Sequence, residues 1–123
     1  MCKRILVVED TPDLMQNMKE SLQMEGYEVW CATNGERALE TIADAKPNLI
    51  ITDLLMPVMN GFDFIKHIRK NHTWNDIPIL VFSAMPPHEN EKNIIELGAD
   101  HYLKKPSTLD IFLDTVHKLS HDE

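Results

Sequence analysis

The chain alternates five times between a short run of apolar residues and a longer segment with helical periodicity. The short runs are apolar at nearly every position, which is typical of strands that are buried on both faces. Alternation of this kind favours right-handed crossovers and a parallel sheet with helices on both sides. We therefore predict an α/β fold, a doubly wound five-stranded parallel sheet with five helices. The predicted strands are Ile5–Val8, Val29–Ala32, Leu49–Ile51, Ile79–Phe82 and His101–Leu103.

The helical segments have start signals, stop signals and apolar stripes. Thr11 is placed to cap the first helix, with Pro12 at its first position, and Asn34 is placed to cap the second. Gly98 is expected to end the fourth helix, and the basic residues from Lys66 to Lys70 are expected to form a solvated face of the third. The apolar positions that define the five helices are Leu14, Met15, Met18 and Leu22; Ala38, Leu39 and Ile42; Phe62, Ile65 and Ile68; Ile94, Ile95 and Leu97; and Leu109, Phe112, Leu113, Val116 and Leu119.

Length and charge exclude several classes of protein. A chain of 123 residues fits one domain without a separate cofactor module. Its 12 Lys and Arg against 20 Asp and Glu give a net charge of −8, which argues against nucleic-acid and anionic-membrane surfaces. No apolar run approaches the ~18 residues of a membrane span, and we do not expect the N-terminal stretch to act as a signal peptide, since its short apolar run leads directly into Glu9 and Asp10. Cys2 and Cys31 suit a reducing compartment, so we expect a cytoplasmic protein without direct nucleic-acid or membrane contact.

Charged and polar residues follow the apolar runs, at the places where the predicted strands end. They are Glu9 and Asp10, Asp53, Ser83, and Lys104 and Lys105. Because parallel strands end at one edge of the sheet, these side chains are expected to converge. Clustered carboxylates repel each other unless a positive charge lies nearby, and Mg²⁺ prefers carboxylate and carbonyl oxygens. The lysine and the hydroxyl can bind phosphoryl oxygens, and a carboxylate can act as the nucleophile. The set therefore suits phosphoryl transfer. The alternative for any one acid is that it caps the next helix.

The sequence lacks the motifs of other activities that occur on such a fold. The residues Glu9–Asp13 stand where a dinucleotide-binding protein would carry G-x-G-x-x-G. Leu55 stands two residues after Asp53, where a phosphatase similar to the haloacid dehalogenases would carry a second acid. The G-x-S-x-G elbow of α/β-hydrolases is absent from the sequence. Dinucleotide binding, that type of phosphatase and an α/β-hydrolase are therefore disfavoured.

An ordered set of motifs resembles the receiver domains of two-component response regulators over the whole chain, residues 1–123. The motifs are Glu9-Asp10, the stretch from Asp53 through Met56-Pro57 to Gly61, Ser83-Ala84, Tyr102 and Lys105-Pro106. The resemblance implies a flavodoxin-like receiver fold and a phosphorylation-dependent signalling switch. Such a protein is not an enzyme with a separate substrate, but it assists its own phosphorylation and dephosphorylation. The implied donor is a sensor histidine kinase or a histidine phosphotransfer protein, and the implied output is altered binding to an unknown protein target.

The resemblance also implies a role for each site residue. Asp53 would be the phosphoacceptor, and Mg²⁺ would be held by Asp10, Asp53 and the backbone carbonyl of Leu55, with Glu9 binding directly or through water. Lys105 would pair with the phosphoryl group across a cis Lys105-Pro106 bond, leaving Lys104 as a solvated neighbour. Ser83 would hydrogen-bond the phosphoryl group and, with Tyr102, form the switch. Leu55 and Met85 stand at the positions that would orient a hydrolytic water, and because both are apolar we expect a long-lived phosphoaspartate.

Two other interpretations of the same residues are open. The chain is expected to act alone, since five strand–helix units use all 123 residues. The alternative is a receiver domain cut from a larger hybrid kinase or transcription regulator. The third interpretation is a docking module that keeps the fold and works without phosphorylation. The intact set of carboxylates, hydroxyl and lysine favours the phosphorylated switch.

Overall fold

The computed structural model describes residues 3–85 and 87–120, with the side chains of residues 87–91 left out. Cys2 lies outside the described residues. Strands and helices alternate along the whole described chain, as the sequence predicts. They are β1 (Arg4–Val8), α1 (Pro12–Met24), β2 (Glu28–Ala32), α2 (Gly35–Ala45), β3 (Leu49–Thr52), α3 (Gly61–Lys70), β4 (Ile79–Ser83), α4 (Pro87–Leu97), β5 (His101–Lys104) and α5 (Leu109–Ser120).

The five strands form one parallel sheet in the order β2-β1-β3-β4-β5. This order confirms the doubly wound prediction. In the register of the sheet, Val8 lies opposite Thr52, and Ser83 lies opposite Lys104. The residues that follow these positions therefore emerge at one edge, which is where ligands bind in sheets of this kind.

The sheet is covered on both faces by apolar side chains. On one face Ile5 and Val7 pack in a cluster with residues of α1 and α5. On the other face Leu6 and Val8 pack in a cluster with residues of α2, α3 and α4. Both clusters consist of buried residues, which explains why the runs of the central strands β1, β3 and β4 are apolar at almost every position. The expectation of burial on both faces is wrong for β2 and β5, which are edge strands and keep exposed residues such as Cys31 and His101.

Helix boundaries agree with the start and stop signals, but the cap of α1 differs from the prediction. Asn34 caps α2, since its side-chain oxygen accepts a hydrogen bond from the backbone N–H of Arg37 at 2.9 Å. Thr11 precedes α1, but its side chain makes no capping bond. Its backbone N–H instead donates to Oε2 of Glu9 at 3.1 Å. Gly98 follows α4 with φ of +133°, a conformation that suits glycine.

Some positions differ from the predicted helix stripes. In α3 the fully buried aromatic residue is Phe64, whereas Phe62 is half-buried. Leu109 is 54% exposed because it is the first residue of α5 and lies at an open cavity beside Leu14. Ile95 is 42% exposed, since the inward position of that turn of α4 is taken by Ile94.

The prediction of a solvated basic face on α3 is wrong for Arg69. Its guanidinium donates to the backbone oxygens of Gly98 at 2.8 Å and Ile77 at 2.8 Å. It also donates to the oxygen of Asn75 at 3.1 Å and pairs with Asp100 at 3.0 Å. Arg69 therefore ties α3 to the turn that follows α4. None of the helices in the described part of the chain combines the length and apolar character that a membrane span requires.

Candidate functional site

Three carboxylates meet at the carboxyl edge of the sheet. One oxygen each from Glu9, Asp10 and Asp53 lies within 4.8 Å of the others. Glu9 and Asp53 are buried, with exposures of 1% and 8%, whereas Asp10 is exposed. Three carboxylates this close repel each other, so the cluster needs positive charge.

Lys105 supplies positive charge from inside the site. Its Nζ donates to Oε1 of Glu9 at 2.8 Å and to Oδ2 of Asp53 at 2.9 Å. It also lies 5.6 Å from the centre of the Phe82 ring. The neighbouring Lys104 is exposed, and its ammonium donates to the backbone oxygen of Lys105. The structure thus brings Lys105 into the carboxylate cluster and leaves Lys104 at the surface.

The protonation of Lys105 follows from these contacts. Burial by itself lowers the pKa of this lysine, but the hydrogen bonds and charges of Glu9 and Asp53 outweigh it, so that the pKa rises above its ordinary value. The ammonium is therefore fully charged at neutral pH. A raised pKa means that this stabilisation is present below the ordinary lysine pKa and is lost only when alkaline pH exceeds the folded value.

The two buried carboxylates are held in place by backbone donors as well as by the lysine. Oδ1 of Asp53 accepts from the N–H of Leu54 at 2.6 Å. The backbone N–H of Asp53 in turn donates to the carbonyl of Val8 at 3.1 Å, which ties β3 to β1 at this edge. Since Glu9 also accepts from Thr11, the side chains of Glu9 and Asp53 are positioned before any ligand arrives.

The loop between β3 and α3 passes very close to Asp53. The N–H of Gly61 donates to the carbonyl of Leu54 at 2.9 Å. A Cβ atom on Gly61 would overlap the carbonyl oxygen of Asp53 and lie 2.8 Å from Cα of Leu54. Only glycine fits here, because both neighbours are backbone. Asn60 caps α3 by accepting from the N–H of Asp63 at 2.9 Å, a start signal that the sequence interpretation missed.

Ser83 and Tyr102 both bond to the backbone of Met85. The N–H of Met85 donates to the hydroxyl oxygen of Ser83 at 3.2 Å. The hydroxyl of Tyr102 donates to the carbonyl of Met85 at 2.7 Å, and Tyr102 is 8% exposed. Met85 therefore joins these two side chains, a link that no sequence signal indicated. The N–H of Lys105 donates to the carbonyl of Ser83 at 2.8 Å, and the predicted cis bond between Lys105 and Pro106 is confirmed.

The donor set fits a hard divalent cation. All three groups of the cluster are carboxylates, which are oxygen ligands of the kind that Mg²⁺ binds. Asp10 forms no hydrogen bond or ion pair with any other residue in the described ranges, so its oxygens are available to a cation. The side chain of Leu55 is 60% exposed and apolar, so of this residue only the backbone carbonyl has the chemistry of a metal ligand.

Comparisons with known proteins identify a family and relatives of the chain. Residues 5–117 match the family described as the response regulator receiver domain. The chain is 36% identical over 123 residues to the transcriptional regulatory protein CrdR of Helicobacter pylori, covering 100% of the chain and 57% of that protein. It is 38% identical over 103 residues to the sensor histidine kinase TmoS of Ectopseudomonas mendocina, covering 84% of the chain and 10% of the kinase.

Solved structures agree in fold over almost the full chain. The chemotaxis response regulator CheY4 of Vibrio cholerae gives a TM-score of 0.89 at 32% identity, covering 97% of this chain and 99% of that one. A putative response regulator from Chloroflexus aurantiacus gives 0.93 at 28% identity, covering 99% and 100%. In contrast, the chain spans between a tenth and about half of the length of the curated relatives that it matches.

Proposed function

Since the chain belongs to the family of response regulator receiver domains, we propose that it is a phosphorylation-dependent switch with Asp53 as its phosphoacceptor. We take residues 1–123 as one receiver domain. The observation that carries the proposal is that the Asp53 carboxylate accepts a hydrogen bond from the Lys105 ammonium at 2.9 Å and has an oxygen within 4.8 Å of oxygens of Glu9 and Asp10. A carboxylate used only for structure has no need of two further acids at this distance.

The metal-binding residues in this proposal are Asp10, Asp53 and the backbone carbonyl of Leu55, with Glu9 contributing directly or through water. Bound Mg²⁺ supplies neutralisation of charge on the phosphoryl oxygens. An Asp53 carboxylate oxygen attacks the phosphorus of a phosphohistidine, an O–P bond forms, and the N–P bond to the histidine breaks. The Lys105 ammonium, already aimed at Asp53, then pairs with the transferred phosphoryl group.

The proposed switch runs through Met85. The Ser83 oxygen accepts from the N–H of Met85, so its own hydroxyl hydrogen is available to donate to a phosphoryl oxygen on Asp53. A turn of Ser83 toward that group would move residues 83–85 and with them the carbonyl that accepts from Tyr102. Phosphorylation at one residue would thereby change the surface near Tyr102, which is a local charge change that biases a two-state element.

The proposed phosphoryl donor is a sensor histidine kinase or a histidine phosphotransfer protein, and the proposed output is binding to another protein. With such a donor, the proposed location of the protein is the cytoplasm. The lengths of the relatives favour a second arrangement, in which the receiver is part of a longer kinase or transcription regulator. Docking without phosphorylation is the third arrangement. The positions of Lys105, Glu9 and Asp53 argue against it, because docking alone does not need a lysine held between two buried carboxylates.

Binding of the phosphoryl mimic beryllofluoride tests this function. With Mg²⁺ we expect a saturable one-to-one complex in isothermal titration calorimetry, because the mimic needs both the Asp53 oxygen and the cation. We expect complete loss of binding in Asp53→Asn and in wild type with EDTA. Asp44→Asn, which removes an exposed acid on α2, is the matched control and should bind as wild type does. Equal binding by Asp53→Asn, or binding that ignores EDTA, would contradict the proposal.

A further inference from the structure

A second cavity lies at the opposite edge of the sheet, where the strands begin. It is an open cavity of about 550 Å³ between the end of α2 and the connection from α3 to β4. Arg4 at the start of β1, Asn48 just before β3, and Ile77 just before β4 all line it. Its volume falls within the roughly 300–1,000 Å³ of small-molecule sites. None of the roles that the receiver family implies for this chain involves a residue of this cavity.

Apart from the hydroxyl of Thr73, which can donate or accept, the side-chain groups left without a partner in this cavity are hydrogen-bond donors. Asn48 uses its side-chain oxygen to accept from the N–H of Arg4 at 2.7 Å. Nε of Arg4 is used by the carbonyls of Ala45 and Lys46 at the end of α2. Among the described residues, no partner hydrogen-bonds the amide nitrogen of Asn48, the terminal nitrogens of Arg4 or the ammonium of Lys46.

The charge of the lining is also one-sided. Arg4 and Lys46 are both cationic, and neither aspartate nor glutamate lines the cavity. This is notable in a chain of net charge −8, where acids outnumber bases overall. Free donors together with two positive charges select a ligand that carries acceptor oxygens and negative charge.

The rest of the cavity wall is apolar and includes an aromatic ring. Trp74 and Ile77 are half-buried, and Ile42 is fully buried beneath them. A partly exposed indole presents a flat face on which another ring can stack, and such pairs contribute about 0.5–1.5 kcal/mol beyond area burial. The indole nitrogen of Trp74 has no hydrogen-bond partner within the described part of the chain, so it adds a further donor.

We propose that this cavity binds a small aromatic anion. The carboxylate or phosphate of the ligand would meet Arg4 and Lys46, and its ring would pack against Trp74. Asp53 lies at the other end of the strands, so such a ligand leaves the phosphoryl site open and both sites can be filled at once.

Nuclear magnetic resonance titration of the intact chain tests this inference. The probes are 1-naphthoate and 1-naphthyl phosphate, which separate the two anionic groups, and 1-naphthylmethanol is the uncharged control. We expect either anion to shift the Trp74 indole and Asn48 amide signals in a saturable way, and the alcohol to bind about tenfold more weakly, since it lacks a charge-assisted hydrogen bond.

Two charge reversals on exposed lysines complete the experiment. Lys46→Glu should weaken binding of the anions about tenfold or more, whereas Lys104→Glu at the opposite edge should leave it unchanged. The dispersion of the amide signals of both variants serves as the measure of correct folding, which keeps this test independent of phosphoryl binding at Asp53. No saturable shift with either anion, equal binding of the alcohol, or unchanged binding in Lys46→Glu would overturn the inference.

Discussion

Replacement of Lys105 by methionine is expected to destabilise the metal-free protein by about 3 kcal/mol at neutral pH. Methionine keeps most of the side-chain length but removes the only ammonium that contacts Glu9 and Asp53 within the described residues. The side chains of these acids are only 1% and 10% exposed, so water cannot replace the lost charge. The same change should strengthen Mg²⁺ binding, because the ammonium no longer competes for the carboxylate oxygens.

Urea denaturation in EDTA and in MgCl₂ measures both effects, together with calorimetric titration of Mg²⁺. The variant should regain part of its lost stability in MgCl₂, since the cation then supplies the missing positive charge. Lys104→Met is the matched control, because that neighbouring lysine is exposed and makes no ion pair with another described residue. A similar loss of stability in Lys104→Met, or weaker Mg²⁺ binding in Lys105→Met, would show that Lys105 is not the counter-charge of the cluster.

The double variant Leu55→Asn with Met85→Glu is expected to shorten the lifetime of phosphorylated Asp53 by about tenfold or more. Hydrolysis needs a water molecule oriented toward the phosphorus. Leu55 and Met85 offer no hydrogen-bonding group of useful strength for that purpose. Leu55 is 60% exposed and Met85 is half-buried, so polar side chains at both positions can be accommodated without emptying the core.

The lifetime is measured by intact mass at intervals after the phosphoryl donor is removed. Val58→Asn is the matched control, since it introduces the same side chain at an apolar residue of the same loop that is 76% exposed. Its lifetime should equal that of wild type. If the double variant decays at the wild-type rate, the apolar pair is not what preserves the phosphoaspartate.

The fold and the position of the site could be predicted from the sequence because both depend on local patterns of apolar and polar residues. A strand buried on both faces needs an apolar residue at each position, which makes runs such as Ile79–Phe82 stand out. In a parallel sheet the residues after such runs share an edge, so topology placed Asp10, Asp53 and the pair Lys104-Lys105 together, and the choice of Lys105 within that pair came from the family resemblance.

The features that were missed depend on contacts between distant segments. Arg69 sits within a basic stretch of α3, and nothing in that stretch indicates that its guanidinium reaches Gly98 and Asp100. Met85 was interpreted by its side chain, whereas its backbone is what joins Ser83 and Tyr102. Contacts with backbone groups of this kind cannot be predicted from residue type or from periodicity.

Phosphorylation of Asp53 itself is the most direct measurement. Wild type is incubated with phosphoramidate or acetyl phosphate in MgCl₂, and its intact mass is recorded beside that of Asp53→Asn. We expect wild type to gain the mass of one phosphoryl group, and to gain none in EDTA or in the variant. An unmodified wild type, or an equal adduct on Asp53→Asn, would contradict the assignment of Asp53 as the phosphoacceptor.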